Sequence, residues 1–113
     1  MAQLELQIQE ENIDFYVASL AMGILVGVRQ GAIPAEVGIW SLGRPVFREA
    51  IESSSVSISL KGVLNAFDEL DAAQSLGLDV VSICHRLISE LLACQEHAVG
   101  KGKSFLIEAK YRE

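Results

Sequence analysis

Positive charge is scarce in this chain, and so are cysteine and proline. Nine Lys and Arg stand against 15 Asp and Glu, giving a formal charge of −6. Nucleic-acid affinity is carried by Lys and Arg at phosphates, so this balance argues against a nucleic-acid partner. Two cysteines make no disulfide scaffold. Cys84 and Cys94 fall on what reads as one helix, where ten residues separate them by roughly 15 Å. A disulfide needs Cα atoms within about 7 Å, which excludes an internal bridge. Two prolines and nine glycines without any period exclude collagen-like and low-complexity chains. Long apolar runs are also missing. Phe15 to Val28 is the most apolar stretch, and fourteen helical residues cover about 21 Å, short of a bilayer core of ~30 Å. Met1-Ala2-Gln3-Leu4-Glu5 has neither the basic nor the apolar region of an export signal. A cytoplasmic location with reduced thiols and no membrane is therefore expected.

What is abundant is apolar residues, half of the 113. That fraction excludes disorder and fits one domain over 1–113. The acidity is uneven. Residues 1–99 hold 13 acids and 5 bases, whereas residues 100–113 hold four bases (Lys101, Lys103, Lys110, Arg112) and two acids. The basic tail reads first as a solvated edge strand, since Lys discourages edge-to-edge association.

The apolar spacing changes period along the chain. Residues 3–9 alternate, which predicts a strand with Leu4, Leu6 and Ile8 turned inward. Asn12 suits a helix N-cap, and Asp14 suits the positive helix start. The helix from Ile13 is apolar on most faces and ends at Arg29-Gln30-Gly31. Two short helices follow. One starts at Pro34 and carries Ala35, Val37, Ile39, Trp40 and Leu42, and the other starts at Pro45 with Phe47, Ala50 and Ile51 inward. A helix capped by Ser57 presents Leu60, Val63, Leu64, Phe67 and Leu70 as one stripe and stops at Gly77. The last helix, capped by Asp79, carries Val80, Ile83, Cys84, Leu87, Leu91 and Cys94. A turn at Gly100-Lys101-Gly102-Lys103 leads into a second strand from Ser104, with Phe105, Ile107, Ala109 and Tyr111 on one side. The expected fold is α+β and mostly α, with four to five helices and N- and C-terminal strands pairing antiparallel. A ribbon of two strands is marginal alone, so it must pack on the helices or pair with another chain.

Several constellations invite a chemical reading. Cys84, His85, Cys94 and His97 offer four soft ligands, but only Cys94 and His97, at i and i+3, can approach each other on a helix. Glu90 and Glu96 flank that pair, an unfavourable setting for a thiolate. It leaves a small hydrolase or metal-binding protein as the least favoured function. Asp68, Glu69 and Asp71 cluster on one helix without a D-x-D-x-D-G loop, which suits a basic protein partner better than a metal. Gly102-Lys103-Ser104 is not a phosphate loop, because His97 stands where the motif needs Gly. Ser19, Gly23 and Gly27 lie four apart on the first helix. They leave a groove for close packing, either on the last helix of the same chain or at a homodimer seam. Trp40, in the turn ending at Arg44-Pro45, is either a core residue or a binding anchor.

The N-terminal strand, the apolar helix ending at Gln30-Gly31-Ala32-Ile33, and the later helix carrying Leu64 to Leu70 with Asp68 and Glu69 resemble a family of small bacterial proteins of unassigned activity. The resemblance implies a small helical protein, and immunity proteins of comparable size and acidity supply an analogy. The expectation is a non-enzymatic interaction module, immunity-like or regulatory, without cofactor, catalytic residue or metal. Its partner would meet Asp68, Glu69 and Asp71 or the Trp40–Arg44 turn. The alternative is a structural homodimer built on Ser19, Gly23 and Gly27 or on pairing of the terminal strands.

Overall fold

A computed structural model describes residues 1–100 and 104–113, with the side chain of Ile39 outside the description. The expected turn at Gly100–Lys103, including Lys101, Lys103 and most of the Gly-Lys-Ser triplet, lies largely outside the described residues. Strand β1 (Gln3–Ile8) is followed by a 3₁₀ turn at Glu10–Asn12 and helix α1 (Ile13–Arg29). Helices α2 (Ala35–Ser41), α3 (Pro45–Ser53), α4 (Ile58–Asn65), α5 (Asp68–Leu76) and α6 (Val80–Val99) come next, and strand β2 (Ile107–Arg112) closes the order. The fold is α+β, mostly α, with the two terminal strands antiparallel.

The expected helix over 57–77 is bent into α4 and α5. The N–H groups of Phe67, Glu69 and Leu70 each bond three residues back, to Leu64, Ala66 and Phe67. This tightening breaks the α-helical ladder for one turn. The apolar stripe survives it, because Leu60, Val63, Leu64, Phe67 and Leu70 are all buried. Counting α4 and α5 as one bent rod, the body has five rods. Its caps follow from side-chain chemistry. Ser57 Oγ accepts from Leu60 N at 3.3 Å and Asp79 Oδ1 from Ser82 N at 3.2 Å. Gly77 takes the left-handed conformation (φ 69°) that ends α5, and Leu78 N then reaches back to Ala73 O.

The core lies mainly between α1 and α6. Val17, Ala18, Ala21, Leu25 and Val28 of α1 meet Cys84, Leu87, Ile88 and Leu91 of α6, with α4 and α5 closing over them. The helical run that includes the 3₁₀ turn, Glu10–Arg29, has 20 residues, and its most apolar 18-residue window has a mean hydropathy of 1.3. The run is longer than the fourteen-residue apolar stretch and meets the length and composition of a membrane span, with a third of that window buried in the fold. Asn12 stands at the N-cap of α1 but makes no capping bond. Its side chain is 1% exposed, and neither amide atom has a hydrogen-bond partner among the described residues.

The ribbon register sets Leu4 opposite Tyr111, Leu6 opposite Ala109 and Ile8 opposite Ile107. These six side chains therefore share one face, as alternation predicts. That face does not turn inward. Leu4, Leu6 and Tyr111 are 64, 59 and 66% exposed, and every residue of β2 is exposed. Ser104 (φ 61°) and Phe105 (φ 51°) both occupy left-handed backbone, which is costly for a bulky side chain. Aromatic contacts hold this bend. Phe15 packs edge-on against Phe105 at 5.2 Å between ring centroids, and Tyr16 Oη donates to the Phe105 carbonyl. The radius of gyration is 14.5 Å, against about 13 Å for a compact chain of this length.

Candidate functional site

Helix α2 is amphipathic in an uneven way. Ala35, Gly38 and Leu42 are buried on one side. Gly38 faces Ile24, Phe67 and Leu70, which an added Cβ would meet in ordinary contact at 3.5–3.9 Å. The small side chains bring the helix against the body, and Val37 and Trp40, three residues apart, are carried on the other side. Trp40 is 66% exposed, and Val46, just past the turn, is 82% exposed. Arg44, also exposed, caps α3 through its backbone, with Pro45 at the first helical position. The Gly43 N–H bonds to the Gly38 carbonyl, and Ser41 Oγ donates to the Val37 carbonyl at 2.6 Å. The turn is thus tied by its own hydrogen bonds while its large side chains stand in solvent. Val37 and Val46 escaped sequence reasoning; the i, i+3 spacing of the small residues Ala35 and Gly38 was the signal for which way Val37 and Trp40 turn.

The three carboxylates at the start of α5 are unequal. Arg48 Nη1 lies 3.1 Å from both oxygens of Asp68, and Arg48 Nη2 donates to Asn65 Oδ1 at 3.0 Å. Glu69 pairs with Arg86 of α6. Asp71 makes no ion pair among the described residues. Both pairs are solvent-exposed and so contribute little to stability, but they occupy two of the three charges expected to meet a basic partner.

A groove of about 630 Å³ runs between the start of α1, α4 and α6. Asp14, Ser59, Glu69, Arg86, Cys94 and His97 line it. Asp14 Oδ1 accepts from Ser57 N at 3.0 Å, tying α1 to the start of α4. Burial pushes the Cys94 thiol up, and the negative charges of Asp14 and Glu90 push it further the same way. Burial also raises the Cys84 thiol, against the opposing pull of Arg29. Both thiols are held in the protonated, weakly nucleophilic form. Among the described residues no three His, Cys, Asp or Glu side chains converge as a metal site.

The small-residue ladder on α1 is divided. Ser19 Oγ accepts from Gln95 Nε2 of α6 at 2.8 Å and donates to the Phe15 carbonyl. A Cβ on Gly27 would strike Ile33 at 3.0 Å, so the chain's own next turn covers it. A Cβ on Gly23 would meet nothing within 4 Å. The three positions therefore do not form one groove against α6. No family model matches the chain, and no curated protein or solved structure is significantly similar to it.

Proposed function

We propose that this chain is a non-enzymatic protein-interaction module, immunity-like or regulatory in kind, whose anchor is Trp40. The observation that carries the reading is the 66% exposure of the chain's single Trp, in a fold that buries Phe67 to 1%. Large aromatics flanked by Arg form the energetic centre of protein interfaces, where they fill a pocket on the partner and lose their hydration. Trp40, Val37 and Val46 offer the apolar anchor, and Arg44 offers a charge at its rim. The protonated thiols of Cys84 and Cys94 support a binding role over nucleophilic chemistry. The pairing of Asp68 with Arg48 and of Glu69 with Arg86 favours the Trp40 turn over the acidic face as the docking surface.

Affinity capture from the native cell with three baits tests this reading: the unmodified chain, Trp40→Ala and Asp71→Lys. A protein retained by the unmodified chain and by Asp71→Lys but lost with Trp40→Ala is the expected result. A partner that stays on Trp40→Ala and leaves Asp71→Lys would move the site to the acidic face and overturn the proposal.

A further inference from the structure

Among the described residues the two strands of the ribbon pair only with each other, so the outer edge of each is left without a strand partner. On the ribbon's apolar face Leu4, Leu6, Ile107, Ala109 and Tyr111 are exposed and Ile8 is half-buried. A two-stranded ribbon is marginal in water and is stabilised by further strands or by packing on a helix. The two edges differ. On β1, Glu5 and Ile8 are half-buried, whereas β2 is exposed along its whole length. Each edge is a row of unpaired backbone groups that can template another strand. The ribbon is also the place where two acidic bodies can meet without repulsion. Glu5 and Glu108 balance Lys110 and Arg112, while residues 9–100 carry 12 acids against 5 bases.

We propose that the ribbon binds a second copy of this chain, β2 pairing antiparallel with β2 about a two-fold axis through Ala109. The sequence of β2 favours that register over those centred on Glu108, Lys110 or Tyr111. With Ala109 facing its own copy, Glu108 faces Lys110 of the second copy and Ile107 faces Tyr111, each twice by symmetry. Two opposite-charge pairs and two aromatic–β-branched pairs result, both favourable cross-strand combinations. A register centred on Glu108 or Lys110 sets like charge against like, and one centred on Tyr111 sets Lys110 against Arg112. A shift of a single residue places apolar side chains opposite polar ones on both faces. β1 has only Glu5 as a charge and no complement for it. The product is a four-stranded sheet in which the two β2 edges satisfy each other's backbone groups. The interface is isologous and closed, so it yields a dimer and no filament. It does not involve Trp40, and Trp40→Ala leaves it intact.

Sedimentation of the full chain at micromolar concentration, combined with crosslinking, tests the register. The unmodified chain sediments as a dimer. In Glu108→Lys the in-ribbon neighbour is the uncharged Gln7, so the ribbon itself is unharmed. Both intermolecular pairs become Lys against Lys, and the dimer dissociation constant rises roughly thirtyfold. Mixing Glu108→Lys with the double variant Glu5→Gln, Lys110→Glu restores a heterodimer, because each intermolecular pair is again of opposite sign. Directly opposed strand residues lie about 4.5–5.5 Å apart at Cα, within disulfide reach. Ala109→Cys therefore forms an intermolecular disulfide under mild oxidation, and Leu6→Cys on β1 does not. A monomer in sedimentation, crosslinking through Leu6→Cys in preference to Ala109→Cys, or no rescue on mixing would each overturn the proposal.

Discussion

Asn12 offers a measurement in which the usual sign of a core truncation reverses. Its side chain is 1% exposed, and neither Nδ2 nor Oδ1 has a partner among the described residues. A buried amide without partners costs about 1–3 kcal/mol relative to hydration. Asn12→Ala removes that cost and leaves a cavity of roughly 30 Å³, which at about 24 cal/mol per Å³ costs about 0.7 kcal/mol. The net is a gain of about 0.5–2 kcal/mol. In thermal unfolding that raises Tm by about 2–8 °C, at about 4 °C per kcal/mol in a chain of this size. Asn12→Asp is the control. It buries an unpaired carboxylate, which disfavours the charged form and raises the folded-state pKa above the unfolded value near 3.9. A raised carboxyl pKa means that stability is lost as pH rises, so Asn12→Asp falls furthest below the unmodified chain at pH 7 and approaches it near pH 4. If Asn12→Ala instead destabilises by 1 kcal/mol or more, the amide is hydrogen-bonded in solution and the reasoning fails.

The remaining predictions concern caps and thiols. Ser57→Ala removes the cap of α4 and lowers stability by about 1 kcal/mol in chemical denaturation, whereas Ser53→Ala, an exposed residue at the end of α3, leaves it unchanged. Hydrogen bonds from Ser82 hold the Asp79 carboxyl below its usual range. A depressed carboxyl pKa contributes stability above the unfolded pKa that is lost as pH falls through the folded one, so the gap between the unmodified chain and Asp79→Asn closes on acidification. With both thiols raised by burial, Cys94 reacts with a disulfide reagent at pH 7.5 more slowly than free cysteine. Cys84, wholly buried, reacts only with the rate of unfolding.

Most of the helices and the caps at Ser57, Gly77 and Asp79 were readable because each leaves a local mark, whereas the cap expected of Asn12 is not made. Ser57, Gly77 and Asp79 stand at the termini their chemistry serves, and the stripe from Leu60 to Leu70 fixes a buried face. What local pattern leaves open is what covers a face. Alternation places Leu4, Leu6 and Ile8 together with Ile107, Ala109 and Tyr111, but the same alternation serves a ribbon on a core and one in solvent. The bend at Ala66–Phe67 has no glycine or proline to announce it, and the apolar stripe runs through it unbroken. Asp68, Glu69 and Asp71 are visible as a cluster. Their neutralisation depends on Arg48 and Arg86, 20 and 17 residues away from their partners, and chain spacing carries no sign of such contacts. For Trp40 both the core and the anchor were compatible with its helix, and the packing of Gly38 against Ile24, Phe67 and Leu70 decides which side of α2 faces out.

The proposed function rests on a Trp that the free protein leaves in water for a partner to cover. Because Trp40 is the only Trp, intrinsic fluorescence reads that residue alone. The folded chain is expected to emit nearly as far to the red as the denaturant-unfolded chain and to be quenched by acrylamide almost as readily, with a blue shift and protection on adding a captured partner. A blue-shifted, poorly quenched emission from the folded chain alone would place Trp40 in the core and contradict the account.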